Sequence, residues 1–180
     1  MDKEVHNLLF DVRRSVRYHD RREGFFSFLR NATDFGVFVL GSTTVLMLAE
    51  AVGADWPIVA KLTIPLIATL LTGGALVGQV ATKSALHNSL KRQFIALEQK
   101  LVKHRKSMTE EMLSEFHQER LIIEKDEPPI LRVLDTICYN ETVWAMGYKE
   151  SHLKKVTRVQ KFMAQFRDID PDGTRASVTS

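Results

Sequence analysis

FGVFVLGSTTVLMLA, residues 35–49, and LTIPLIATLLTGGALVGQVAT, residues 62–82, are the stretches on which the reading of this chain turns. The first has no charged residue and continues through Ala51, Val52 and Ala54, with Glu50 as its one interruption. A polar break, Asp55-Trp56-Pro57, follows. The second is an uncharged run of 21 residues whose only strongly polar side chain is Gln79. A bilayer's hydrocarbon core takes about 20 apolar residues as helix. The two runs therefore predict a transmembrane helical hairpin over residues 35–82, antiparallel because the turn is short. A helix at the edge of a soluble core keeps a polar face, and Phe35 to Ala49 offers only Ser42, Thr43 and Thr44. Gly36, Gly41, Gly73, Gly74, Gly78 and Pro65 point the same way, being more frequent in membrane helices than in soluble ones.

The charge distribution orients this hairpin. Residues 1–34 carry seven basic side chains and residues 83–106 seven more, whereas the turn has Lys61 alone. By the positive-inside rule both termini are expected in the cytoplasm, in a multi-pass protein of the inner (plasma) membrane. Arg13, Arg14, Arg17, Arg21, Arg22, Phe25, Phe26, Trp56, Lys61 and Lys83 are then the expected membrane-interface residues, with the bilayer itself as a partner. For Phe25 and Phe26 a place in the core of a helical bundle is an equal alternative. The net charge of +3 by itself points to no nucleic-acid-binding surface, and no nucleic-acid partner is expected. The basic clusters at 13–22 and 100–106, which could suggest RNA, are read as lipid contacts because of their interleaved acids and their place beside the hairpin. The single cysteine, Cys138, cannot form an internal disulfide, which suits a reducing compartment. No cleavable signal pattern opens the chain, so the first apolar helix is expected to act as an uncleaved anchor.

Outside the hairpin the periodicity is helical throughout, and the fold class expected is all-α: the hairpin plus a cytoplasmic helical bundle. Val5, Leu8, Leu9, Val12, Val16 and Tyr18 make one stripe of a juxtamembrane amphipathic helix within residues 1–34. From Lys83 the second membrane helix is expected to continue as a projecting helix with Leu86, Leu90, Phe94, Leu97 and Leu101 on one face. Ser107 followed by Glu110 fits a capping box opening a helix with Met108, Met112, Phe116 and Leu121 inward. After Glu127-Pro128-Pro129 a helix over 130–146 would bury Ile130, Leu131, Leu134, Ile137, Cys138 and Met146, with Gly147 as its stop. Ser151 is a plausible cap for a last helix facing inward with Leu153, Val156, Val159, Phe162, Met163 and Phe166. The helical region spans 83–167, and residues 168–180 read as a disordered tail.

Few residues suggest chemistry. Gly74 and Gly78 form a small-xxx-small motif, the candidate surface for helix packing and homo-oligomerisation. Glu50 and Gln79 are candidate pore-lining residues in such an oligomer, or side chains that merely reach the interface. The six histidines show no metal-ligand spacing and read as solvated helix residues. Cys138 lies on an apparent core face and has no orienting partner for nucleophilic work. Gly73-Gly74 sits inside an apolar run rather than after a strand, so it is no phosphate loop. No enzyme, metal or cofactor is expected.

The Arg-rich approach around Tyr18-His19, the tight hairpin, the long helix from Lys83 and the helical remainder together resemble the SLATT superfamily of two-transmembrane effectors. Glu127-Pro128-Pro129 with Cys138-Tyr139-Asn140-Glu141 is similar to a small phage or prophage membrane-protein family. Composition alone reads Asn140 and Glu141 as cap or surface residues. The resemblance implies an oligomeric effector of antiviral, abortive-infection-type defence, which forms a pore or disrupts the membrane. Its trigger is expected from a separate nucleotide-sensing or phage protein, or from a ligand bound by the cytoplasmic helices, since the sequence shows no sensor domain of the family's kind. The competing expectation is a non-conducting phage- or host-encoded scaffold that binds a partner protein through residues 107–167.

Overall fold

The computed structural model of the chain describes residues 2–50, 63, 66–67 and 80–171. The described residues are all-helical, with no strand among them. The elements are α1 (Asp2–Glu50), α2 (Val80–His104), α3 (Glu110–Glu124), α4 (Arg132–Ala145), a 3-10 turn (Glu150–His152) and α5 (Arg158–Met163). The chain divides into two compact units, residues 1–22 with 86–180, and residues 23–85.

The first unit is a helical bundle built on a seam between the N-terminal part of α1 and α2. Val5, Leu8, Leu9 and Val12 meet Leu90, Phe94, Leu97 and Leu101, every one of them buried. Arg13 pairs with Glu98 and Asp20 with Lys91, so the two helices run antiparallel. Met108, Leu113, Phe116 and Ile123 of α3 and its approach close over this seam. A second cluster joins Tyr18 of α1 to Val133, Leu134 and Cys138 of α4 and to Ala164. The predicted stripes on α1 and α2 are thus the core, Leu86 excepted, which is exposed.

Helix ends are set by local chemistry that differs from expectation at two places. Thr109, not Ser107, caps α3, its hydroxyl accepting from the Met112 N–H at 3.2 Å. Thr157, not Ser151, caps α5 in a reciprocal capping box with Gln160. Residues 150–152 are spent in the 3-10 turn, and α5 is correspondingly short. Gly147 follows α4 with φ of 75°, the left-handed stop that glycine tolerates without a Cβ penalty.

The second unit is described in part. Ser27 and Ser84 share a hydroxyl hydrogen bond of 3.0 Å, Phe26 is buried, and Lys83 Nζ stands 5.8 Å from the Phe26 ring centre. Phe28, Phe35 and Phe38 are exposed.

Among the described residues no helix is long and apolar enough to cross a membrane. This corrects the expected multi-pass inner-membrane localisation with both termini cytoplasmic. α1 as described ends at Glu50, and between Asp34 and Glu50 it holds an uncharged run of 15 residues, fewer than the roughly 20 that a bilayer takes. α2, in turn, buries one stripe and sets charges on its other faces. The turn at Asp55-Trp56-Pro57 and nearly all of the run 62–79 lie outside the described residues.

The seam makes a direct prediction. Phe94→Ala removes a fully buried ring from its centre and is expected to cost about 3–5 kcal/mol. Leu121→Ala, at an exposed position, is expected to stay within about 0.5 kcal/mol. Urea midpoints of the two variants check this, and equal losses would refute the core assignment.

Candidate functional site

The five arginines of α1 between residues 13 and 22 all find partners inside the first unit. Arg13 Nε donates to Glu98 Oε1 at 2.7 Å, and Arg14 Nε lies 3.3 Å from Asp135 Oδ1. Arg17 donates to the Arg13 carbonyl at 3.1 Å. Arg21 forks onto both Glu141 oxygens, and Arg22 donates to the Gln165 carbonyl at 2.8 Å. Half-exposed pairs of this kind contribute about 1 kcal/mol or less each. Their joint effect is on register, because α1 is pinned to α2 on one side and to α4 on the other. Phe25 is half-buried and edge-on to the buried Phe26, which lies beneath Lys83. Glu50 is the last residue of α1. Trp56, Lys61, Gly74, Gly78 and Gln79 lie outside the described residues.

The polar centre of the first unit was not expected from the sequence. His19 and His87 are 1 % and 2 % exposed, so two of the six histidines are core residues rather than solvated ones. His19 Nε2 lies 2.9 Å from Glu127 Oε1, and its Nδ1 lies 2.9 Å from His87 Nδ1. A carboxylate only accepts, so His19 Nε2 carries a proton. In the neutral ring Nδ1 is then an acceptor, and the proton between the two Nδ1 atoms belongs to His87. The His19 ring stacks on Phe94 at 5.5 Å, and Tyr18 Oη accepts from the Leu131 N–H at 3.0 Å. Among the described residues every buried side-chain nitrogen and oxygen has a partner. The helical register held the clue: His19 continues the stripe Val12–Val16, and His87 precedes Leu90 and Phe94 by three and seven.

A third feature is the edge formed by α4, the 3-10 turn and α5. Asn140 fixes it, exchanging hydrogen bonds with the Lys154 backbone N–H and carbonyl at 2.8 and 2.7 Å. Beside that clamp lies a groove of about 380 Å³ lined by Ile137, Trp144, Leu153 and Val156, with Lys154, Lys161 and the Arg21-paired Glu141 as its charged residues. Beyond it, Val159, Phe162 and Phe166 are 63–74 % exposed, where the sequence had placed them in the core. The short α5 is held by Ala164, which is buried, and by half-buried Val156 and Met163. Ile130 is likewise exposed, and Val133, Thr136, Thr142 and Val143 join the expected Leu134 and Cys138 in the buried positions of α4. Residues 149–167 hold six lysines and arginines against one acid, Glu150, so the segment that carries the exposed rings is basic, with Asp168 and Asp170 following it.

Cys138 is fully buried, and burial, with Glu141 nearby, pushes its thiol up to about 12. Among the described residues no cluster of His, Cys, Asp and Glu is placed to hold a metal ion. Fold and sites together define an all-helical bundle with a buried histidine pair and a basic, aromatic edge. Comparison with family models, with curated proteins and with solved structures found no match to this chain.

The state of Cys138 is open to measurement. At pH 8 the native chain is expected to resist a thiol reagent such as dithionitrobenzoate and to react fully once unfolded in urea, because thiolate is the attacking form. Stoichiometric reaction of the native chain within minutes would contradict the burial.

Proposed function

We propose that this chain acts by binding, as a non-catalytic helical module that engages a partner protein through its α4–α5 edge. The observation that carries the reading is the row Val159, Phe162 and Phe166, three large apolar side chains left in solvent beside a groove containing Trp144. Exposed aromatic clusters of this kind mark interaction surfaces. The basic character of residues 149–167 favours a partner segment that brings apolar anchors flanked by acidic residues. The inert thiol of Cys138 supports binding over nucleophilic catalysis.

An effector switched by a separate sensor protein, the role implied by the SLATT resemblance, would need such a surface. Homo-oligomerisation through the same edge is the other occupant to test. A photo-crosslinking phenylalanine analogue at position 162, in the chain expressed in cells, distinguishes the two by the mass of the adduct. The reading predicts one dominant heterologous adduct. It also predicts that Phe162→Ser with Phe166→Ser lowers its yield at least tenfold while shifting Tm by no more than about 2 °C, since neither ring is in the core. A chain-to-chain adduct alone would replace the partner with a second copy. No adduct at position 162 would remove the edge as an interface.

A further inference from the structure

The buried histidine pair ends on the connection between α3 and α4. That connection contains Glu127-Pro128-Pro129, and its two prolines remove backbone N–H donors. Side chains of α1 hold it instead: His19 donates to Glu127 Oε1, and Tyr18 Oη receives the Leu131 N–H. α4 begins directly after it at Arg132.

The geometry limits how many protons the pair can carry. With both rings neutral, one proton lies between the facing Nδ1 atoms. One further proton can be accommodated if His87 shifts its own to Nε2 and His19 becomes the donor. A second further proton cannot, because both Nδ1 atoms would then carry hydrogen at a separation of 2.9 Å. Once the connection swings away and water enters, each ring takes its own proton independently.

We propose that the His19–His87 pair is a proton-sensitive lock on the α3–α4 connection, closed at neutral pH and opened by acid. The charged and titratable groups around it agree with this assignment. From the connection Glu127 is the carboxylate bonded to the pair, and from α4 Asp135 bears on Glu127. From α1, Arg22 opposes any added positive charge on His87. Tyr18 and Cys138 are kept protonated by burial. Asp20 and Lys91, at the seam's outer side, neutralise each other.

The direction with pH follows from His87. Burial, reinforced by His19 and Arg22, lowers its pKa from 6.5 to about 4. In the opened form the ring regains its ordinary value near 6.5. Above that value neither form takes the proton, and the lock is at full strength. Between 6.5 and 4 only the opened form does, so closure weakens as pH falls, and the effect levels off below 4. At pH 5 the opening constant is expected to be about thirty times its value at pH 7.5.

Amide hydrogen exchange of the full chain at pH 7.5 and pH 5.0, corrected for intrinsic chemical rates, tests this. The expected result is a protection loss of about thirtyfold across residues 126–135, with residues 94–101 of the seam unchanged. His87→Asn supplies an N–H where Nδ1 stood and does not ionise, so it is expected to abolish the pH response. Unchanged protection at residues 126–135, an equal loss throughout the unit, or a response that persists in His87→Asn would each overturn the proposal. If that variant fails to fold, the wild-type comparison of the two segments still decides it.

Discussion

The apolar seam between α1 and α2 is the contact on which the rest of the first unit depends. Two helices distant in sequence run antiparallel, and each contributes one unbroken stripe, from Val5 to Val12 on α1 and from Leu90 to Leu101 on α2. Such a stripe is unstable in water until it is covered. The partner helix covers most of it, and α3 covers the remainder through Leu113, Phe116 and Ile123. The half-exposed ion pairs of the arginines on α1 add little energy but admit only one register, because sliding either helix by a turn would separate Arg13 from Glu98 and Asp20 from Lys91 together.

Where the seam reaches residues 18–19 and 87, its character changes from hydrocarbon to hydrogen bond. Burying imidazoles is tolerable only when their nitrogens are satisfied. The chain Glu127–His19–His87 achieves that with one carboxylate and two rings, under the cover of Phe94 and Tyr18. An apolar pair there would have packed without consequence for α4. The polar pair couples the seam to the connection before α4, so the second cluster around Val133, Leu134 and Cys138 is tied to the first through side chains of α1.

The α4–α5 edge follows the opposite logic. Its backbone is well anchored, by Asn140 on Lys154, by the Thr157–Gln160 box and by Arg132 on Asp168 at 3.2 Å. Its large apolar side chains nevertheless point outward. Stability of that segment thus rests on small and half-buried residues, Ala164 and Val156 among them, which leaves the aromatic rings available for contact with another molecule.

The amino-acid sequence by itself determined the helical class, the stripes of α1 and α2, the turn at the two prolines and the stop at Gly147, because each depends on period and on local backbone preference. It misled on the last helix. A stripe such as Val159–Phe162–Phe166 has the same period whether it faces a core or solvent, and only the packing of Ala164 decided between them. It misled on the membrane hairpin, since among the described residues no helix is long and apolar enough to cross a membrane. The histidines are the clearest case. His19 and His87 read as solvated residues although they continue the buried stripes, and a single sequence does not say that residues 68 positions apart share a proton, or that Glu127 caps them. That pairing is a product of helix register in three dimensions, and tertiary structure alone supplied it.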